Sequence, residues 1–171
     1  WSSDVCSSDL VAKTDELFGD TLQLLNWLGI MKRKEAIVIT PGVKELIAKD
    51  MQDKSKAQLF ALTIPDEQFL TSLFDVLEKN YTHNDFNSDK YAQALVMSKS
   101  QLYRRVTALT GYSPNDLLNE YRQKKAKELL RKMKYNISEV SFETGFSSPS
   151  YFTKCFKRKF GLLPLSYQEL V

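Results

Sequence analysis

An all-α architecture, with two helix-turn-helix units joined by a long helix, is the fold class this sequence predicts for residues 65–171. Three observations predict it. From Pro65 onward, apolar residues recur at helical spacing. Ser or Ser-Pro starts and Gly stops punctuate those stripes. Two segments also repeat one plan of small residue, turn and second helix; the second helices start about 49 residues apart, at Ser98 and about Ser147. Residues 11–64 precede this part as an N-terminal extension or linker to which the sequence assigns no role.

At 171 residues the chain has room for one domain, or one domain plus an appendage. Hydrophobic residues make up 43% and charged residues 26%, enough apolar material for a core without disulfides or metals. Cys6 and Cys155 have no metal-ligand spacing and cannot form a framework, so a reducing, cytoplasmic setting fits. No apolar run approaches the roughly 18 residues of a membrane helix, and no basic start leads into an apolar stretch. Neither a signal peptide nor membrane contact is therefore expected of this segment. The net charge of +3 is unevenly spread. Residues 1–87 hold about 9 Lys+Arg against about 14 Asp+Glu, and residues 88–171 about 15 against about 7. Either a polyanion partner or a solvated lysine-rich face accounts for the basic half.

The first ten residues, WSSDVCSSDL, resemble the translated read-through of a sequencing adapter, and are excluded from fold reasoning. On that reading the native chain continues upstream and this is its C-terminal part; the other reading is a disordered polar terminus. Leu17, Leu22, Leu25 and Leu28 mark a helix over 14–28 that Gly29 ends. Glu35-Ala-Ile-Val-Ile-Thr40 is short and β-branched enough for a strand, but has no partner in the sequence. Val43 to Met51 reads as a short helix, and Asp50 to Lys56 as a connection.

Phe69, Leu70, Leu73, Phe74 and Leu77 then make the stripe of an amphipathic helix over Asp66 to Asn80, with Asp66 near its N-cap. His83, the one histidine, falls in a polar loop and receives no role. Ser88 caps a short helix with Tyr91, Ala92 and Leu95 inward. After a break at Val96-Met97, Ser98 caps a helix that Gly111 ends. Ser113-Pro114 opens the longest helix, which runs to about Lys134 with a basic middle at Arg122 to Lys125. Ile137 to Thr144 follows, with Ile137, Val140 and Ser141 inward, then a break at Gly145. A helix from Ser147/Ser148 and Pro149 runs to Phe160 and stops at Gly161, and a last one spans Leu163 to Leu170.

The repeated plan is where function is expected. A helix-turn-helix needs a small residue where its helices cross, and Gly where the turn leaves no room for a Cβ. Ser141 and Gly145 supply both, and Phe152, Phe156 and Phe160 bury one face of the next helix. Its other face carries Ser150, Lys154, Lys157 and Arg158, able to donate to phosphates and base edges. In the first unit Ala92 is the small residue, Leu102, Val106 and Leu109 are inward, and Ser100, Gln101, Arg104 and Arg105 are outward. Val96 is a departure: a β-branched residue tolerates positive φ badly, so it is strained there or the turn is built differently. Docking both second helices in one face of a duplex requires a separation of roughly 34 Å.

MSKSQLYRRVTALTGYSPNDLLNEYR at 97–122 and ISEVSFETGFSSPSYFTKCFKRKFGLLPLSYQ at 137–168 resemble the AraC/XylS regulators, over residues from roughly Asp66 to Leu170. The resemblance implies a seven-helix DNA-binding domain with two helix-turn-helix units. The variant text around 97–114 is particularly similar to the regulator ends of Bacteroidetes hybrid two-component proteins, in which a sensor kinase, a receiver and this domain share one polypeptide. By matching positions, it assigns base reading to Ser100, Tyr103 and Arg104 in the first unit, and to Pro149, Ser150, Tyr151, Thr153 and Lys154 in the second. Ser148 joins them as a DNA-contacting residue at the helix start. Pro149 has no N–H to give. Gln168 stands where the family usually has Arg, which puts a late phosphate or structural contact in doubt.

The implied role is a promoter-binding transcription factor, an activator, that ends a larger signal-responsive regulator. Its implied partners are double-stranded DNA and RNA polymerase, with a homodimer formed through upstream domains. Tyr103 and Tyr151 suit half-buried packing as well as thymine contacts, and Lys124, Lys125 and Lys127 suit a solvated face as well as DNA. Cys155, between Phe152 and Phe156, reads as a buried small hydrophobe. The alternative from another class is a helical protein-interaction module without DNA binding. No enzyme is expected, because no Ser/His/Asp, Cys/His or paired-carboxylate arrangement is present; neither a cofactor nor a metal is implied.

Overall fold

The computed structural model describes residues 30, 32, 36–39, 41 and 58–170. The expected helices over 14–28 and 43–51, the stop at Gly29, the connection at 50–56, and Cys6 with the adapter-like start lie outside the described residues. The chain divides into two units, residues 1–62 and 63–171. In the first, β1 (Ala36–Ile39) pairs in parallel with β2 (Gln58–Ala61), Ala36 opposite Gln58 and Ile39 opposite Ala61. The β-branched run thus forms a strand, and the partner that local pattern failed to reveal lies about twenty residues along the chain, beyond the reach of a tight turn.

The second unit is helical throughout its described residues. Its helices are α1 (Ile64–Asn80), α2 (Ser88–Ala94), α3 (Lys99–Thr110), α4 (Pro114–Arg131), α5 (Ile137–Glu143), α6 (Pro149–Phe160) and α7 (Pro164–Glu169). Most boundaries follow from caps. Ser98 and Ser113 accept the N–H groups of Gln101 and Asp116, and Gly111 and Gly161, both at φ 77°, end α3 and α6. Two starts and one end differ from expectation. Thr63, not Asp66, is the N-cap of α1; Asp66 is the third helical residue and reaches back to the Thr63 N–H, closing a capping box. Asn87 caps α2 in place of Ser88, its side-chain oxygen accepting from Asp89 and Lys90 at 2.9 and 3.2 Å. Of the two serines expected at the start of α6, Ser148 is the cap. α4 ends at Arg131, short of Lys134, in a turn that puts Met133 at φ 55°.

Two cores form, and α4 passes through both. Phe69, Leu70, Leu73, Phe74 and Leu77 of α1 are buried, as are Tyr91, Leu102 and Val106. The Tyr91 hydroxyl, inside this core, donates to Leu73 O at 2.7 Å, and burial pushes its phenol well above the ordinary range. Leu117, Leu118 and Tyr121 bring the first half of α4 against it, with the Tyr121 ring 6.3 Å from Phe74. Ala126 and Leu130 belong instead to the second cluster, with Val140, Phe146, Phe152, Cys155 and Phe156. The expected phenylalanine face of α6 is real: the rings of 152, 156 and 160 stack at 5.7 and 4.5 Å.

The two helix-turn-helix breaks are alike in backbone. Met97 N–H donates to Ala92 O at 2.9 Å, and Phe146 N–H to Ser141 O at 3.0 Å. The residue before each donor is left-handed: Gly145 at φ 77° and Val96 at φ 53°. Val96 is therefore the strained alternative of the two expected, and it is 94% exposed. A left-handed L-residue costs about 1–2 kcal/mol, and a glycine returns part of that as unfolded-state entropy. Val96→Gly should raise stability in urea unfolding by about 1 kcal/mol; a lower stability would show that the turn carries no strain. Gly145→Ala should lower it by more than about 2 kcal/mol.

Candidate nucleic-acid interface

α3 and α6 each turn one face inward and one outward. On α3, Leu102, Val106 and Leu109 are buried, while Ser100, Gln101, Tyr103 and Arg104 are exposed. On α6, Phe152, Cys155 and Phe156 are buried, while Ser150, Tyr151, Lys154, Lys157 and Arg158 are exposed; Ser148, Pro149 and Thr153 are half-buried. Counted from the caps Ser98 and Ser148, Arg104 and Lys154 occupy the same place on their helices. Between the left-handed turn residue and the cap, the second unit has one residue more than the first, Ser147. Arg104 also lines a shallow cleft of about 450 Å³, with Lys99, Ser100, Tyr103, Ser113 and Pro114 among its walls.

The cations sort into two groups. Lys99 pairs with Asp89 at 2.6 Å, Lys90 with Asp85, Lys125 with Glu78 at 2.9 Å, and Lys159 with Glu120 at 2.5 Å. Among the described residues, no hydrogen bond or ion pair holds Arg104, Lys154, Lys157 or Arg158. The lysines of α4 are neither a plain solvated face nor an outward one. Lys125 bridges to α1 and lies 5.4 Å from the Tyr121 ring; Lys127 lies 5.6 Å from Phe160 and 5.7 Å from Tyr167; burial pushes the Lys124 ammonium down.

Three of the expected site residues have work within the fold. The Gln101 side-chain oxygen accepts the Ser98 N–H at 3.0 Å, and Ser148 accepts that of Tyr151 at 3.3 Å. Arg105 turns toward α1, donating to Pro65 O at 2.9 Å with its guanidinium 4.2 Å from the Phe69 ring and 4.0 Å from Asp66. Tyr103 and Tyr151 are 55% and 48% exposed, and the Tyr151 ring lies 6.1 Å from that of the buried Phe146. A hydrogen bond to the buried Cys155 holds the Tyr151 phenol above its ordinary range. Gln168 does make a structural contact, donating to Tyr135 O at 3.2 Å.

One residue that the charge pattern concealed is Arg122. It is 6% exposed, and its Nε and Nη2 donate to Tyr81 O and His83 O at 2.9 and 2.7 Å. Burial lowers its guanidinium below the usual range. The signal was present in the sequence: Leu118, Arg122, Ala126 and Leu130 form one four-residue stripe, and Arg122 stands in the middle of a buried face.

A family model described as a helix-turn-helix domain matches residues 91–169. Histidine kinase P4 of Formosa agariphila is 40% identical over 104 residues, which are 61% of this chain and 8% of that protein. The HTH-type transcriptional regulator MtrA of Neisseria gonorrhoeae is 36% identical over 86 residues, half of this chain and 29% of that one. The chain thus spans well under half the length of either relative. Among solved structures, the DNA-binding domain of AdpA, a global transcriptional factor in complex with a target DNA, superposes with a TM-score of 0.56 at 27% identity, covering 58% of this chain and 89% of that one.

The adjacent arginines of α3 should separate in unfolding experiments. Arg105→Met loses a hydrogen bond and a ring contact, and should cost about 1–2 kcal/mol. Arg104→Met loses no such contact and should change stability by less than about 0.5 kcal/mol. Equal losses in urea would contradict the division.

Proposed function

We propose that the chain, whose residues 91–169 match a helix-turn-helix family model, is the promoter-binding output piece of a larger signal-responsive regulator of the AraC type. The observation that carries this reading is the matched pair of cations, Arg104 and Lys154, at equivalent places on two exposed helix faces and without a side-chain partner among the described residues. α4 supports it as a spacer. Its 18 residues extend about 27 Å, comparable with the roughly 34 Å between successive major grooves on one duplex face. Arg104 suits bidentate donation to guanine, and Lys154, Lys157 and Arg158 suit phosphates. Ser100, Ser150, Tyr103, Tyr151 and Thr153 border those cations as candidate base-edge or backbone contacts. Gln101, Arg105 and Ser148 hold the two helices in place.

The likeness to a histidine kinase supports a place at the end of a hybrid two-component polypeptide, with signal reception and any dimerisation upstream. RNA polymerase is the partner a promoter-bound activator requires. No helix among the described residues is long and apolar enough to cross a membrane.

Salt separates this reading from a protein-interaction module. Fluorescence anisotropy on a duplex selected by the chain from a random pool should give a slope of log K against log salt of about −4 or steeper; a flat response would favour the protein-interaction module. Arg104→Ala should cost about 1–3 kcal/mol on that duplex and relax preference at one base pair, and Lys154→Ala should reduce the slope by about 1. Unchanged discrimination after Arg104→Ala would remove that residue from base reading.

A further inference from the structure

We propose that Arg122 is a positioning residue that fixes the offset between α3 and α6, and so sets the half-site spacing that a duplex must present. The proposal rests on the DNA-binding reading above. Three pieces of chain meet at this residue. Tyr81 and His83 belong to the loop leading from α1 into the first helix-turn-helix, Arg122 lies midway along α4, and Gly145 is the turn of the second unit. The guanidinium donates to both loop carbonyls, at 2.9 and 2.7 Å. A Cβ built on Gly145 would lie 2.0 Å from Tyr81 O and 2.9 Å from the Arg122 Nε, so the backbone of one unit rests directly on the turn of the other. The Phe146 ring, 6.0 Å from the guanidinium carbon, covers it on the second unit's side.

This arrangement is rigid for a reason. A guanidinium is a planar fork whose donors point in fixed directions, so holding two carbonyls at once fixes the loop in orientation as well as distance. Among the described residues no carboxylate pairs with Arg122, so the residue's contribution is geometric more than Coulombic. Two linked binding modules gain affinity only where the link lets both engage together. A stiff link makes that gain large at one spacing and small at others; a loosened link lowers the peak and broadens it.

The test uses the full chain and the duplex that the wild type selects from a random pool, with two base pairs then inserted between the half-sites. The insertion shifts one half-site by about 7 Å and about 70°. Wild type should lose about 30-fold in affinity or more on the inserted duplex. Arg122→Met should bind the parent duplex about ten-fold more weakly, yet lose no more than about three-fold on insertion. A residue needed only for folding would weaken both duplexes alike and leave the ratio at its wild-type value, and that outcome overturns the proposal. Should Arg122→Met fail to give a cooperative melt, Arg122→Lys, which keeps the charge but not the fork, is read in the same way: a reduced insertion penalty supports the role and a wild-type penalty overturns it. If the wild type binds no duplex in a salt-dependent manner, the DNA-binding reading falls and this role with it. If the wild type binds and the variant keeps the wild-type ratio, only the role of Arg122 falls.

Discussion

The meeting of Arg122 with the Tyr81 and His83 carbonyls is the constraint on which the helical unit depends. Burying a guanidinium is costly unless its donors are satisfied, and here a loop supplies the acceptors. The cost and its compensation come from different parts of the chain, so neither part reaches its final shape alone. α4 needs the loop to keep a charge inside the protein, and the loop gains from α4 a donor to the Tyr81 carbonyl and a second donor to the His83 carbonyl, which also accepts the Phe86 N–H. Gly145 follows from the same contact. Its missing side chain is the space that the Tyr81 carbonyl enters.

Around that contact the positive charges divide by task. Lys125 and Lys159 pair with Glu78 and Glu120 and tie α4 to α1 and to α6; Lys127 lies near the rings of Phe160 and Tyr167. Exposed pairs of this kind contribute little stability each, but they keep lysines off the reading faces. The cations of α3 and α6 left without partners among the described residues are the ones a polyanion can engage without breaking a contact seen there. A net charge of +3 says nothing of this division.

Much of the helical unit was legible because its signals are local. Ser98, Gly111, Ser113-Pro114, Gly145 and Gly161 act within one turn of where they stand, and each lies at the boundary it announces. The caps that escaped, Thr63 and Asn87, stand one to three residues before Asp66 and Ser88, which are themselves good capping residues. Choosing between adjacent candidates depends on backbone angles that composition does not fix. The β1 partner and the carbonyls that Arg122 engages are non-local, and no window along the chain contains them, although the place of Arg122 on a buried stripe is a local signal. The same holds for the roles of Arg104 and Arg105: neighbours in sequence, one is unpartnered and the other is engaged with Pro65 and Phe69.

Comparing the two turns shows what glycine is for in this fold. Both turns take the left-handed backbone, and the same five-residue-back hydrogen bond closes each. If φ alone demanded glycine, Val96 could not stand where it does. At Val96 the Cβ points into solvent, and the fold tolerates a penalty of about 1–2 kcal/mol. At Gly145 a Cβ would meet a carbonyl at 2.0 Å, and nothing nearby is free to yield, because Arg122 holds that carbonyl in place. Ser141 follows the same logic at the helix crossing. It is fully buried and its hydroxyl has no hydrogen-bond partner among the described residues, so its size rather than its polarity suits it to the crossing. The repeat therefore conserves a backbone shape, while the residue that fills each place is decided by what the other half of the molecule brings against it.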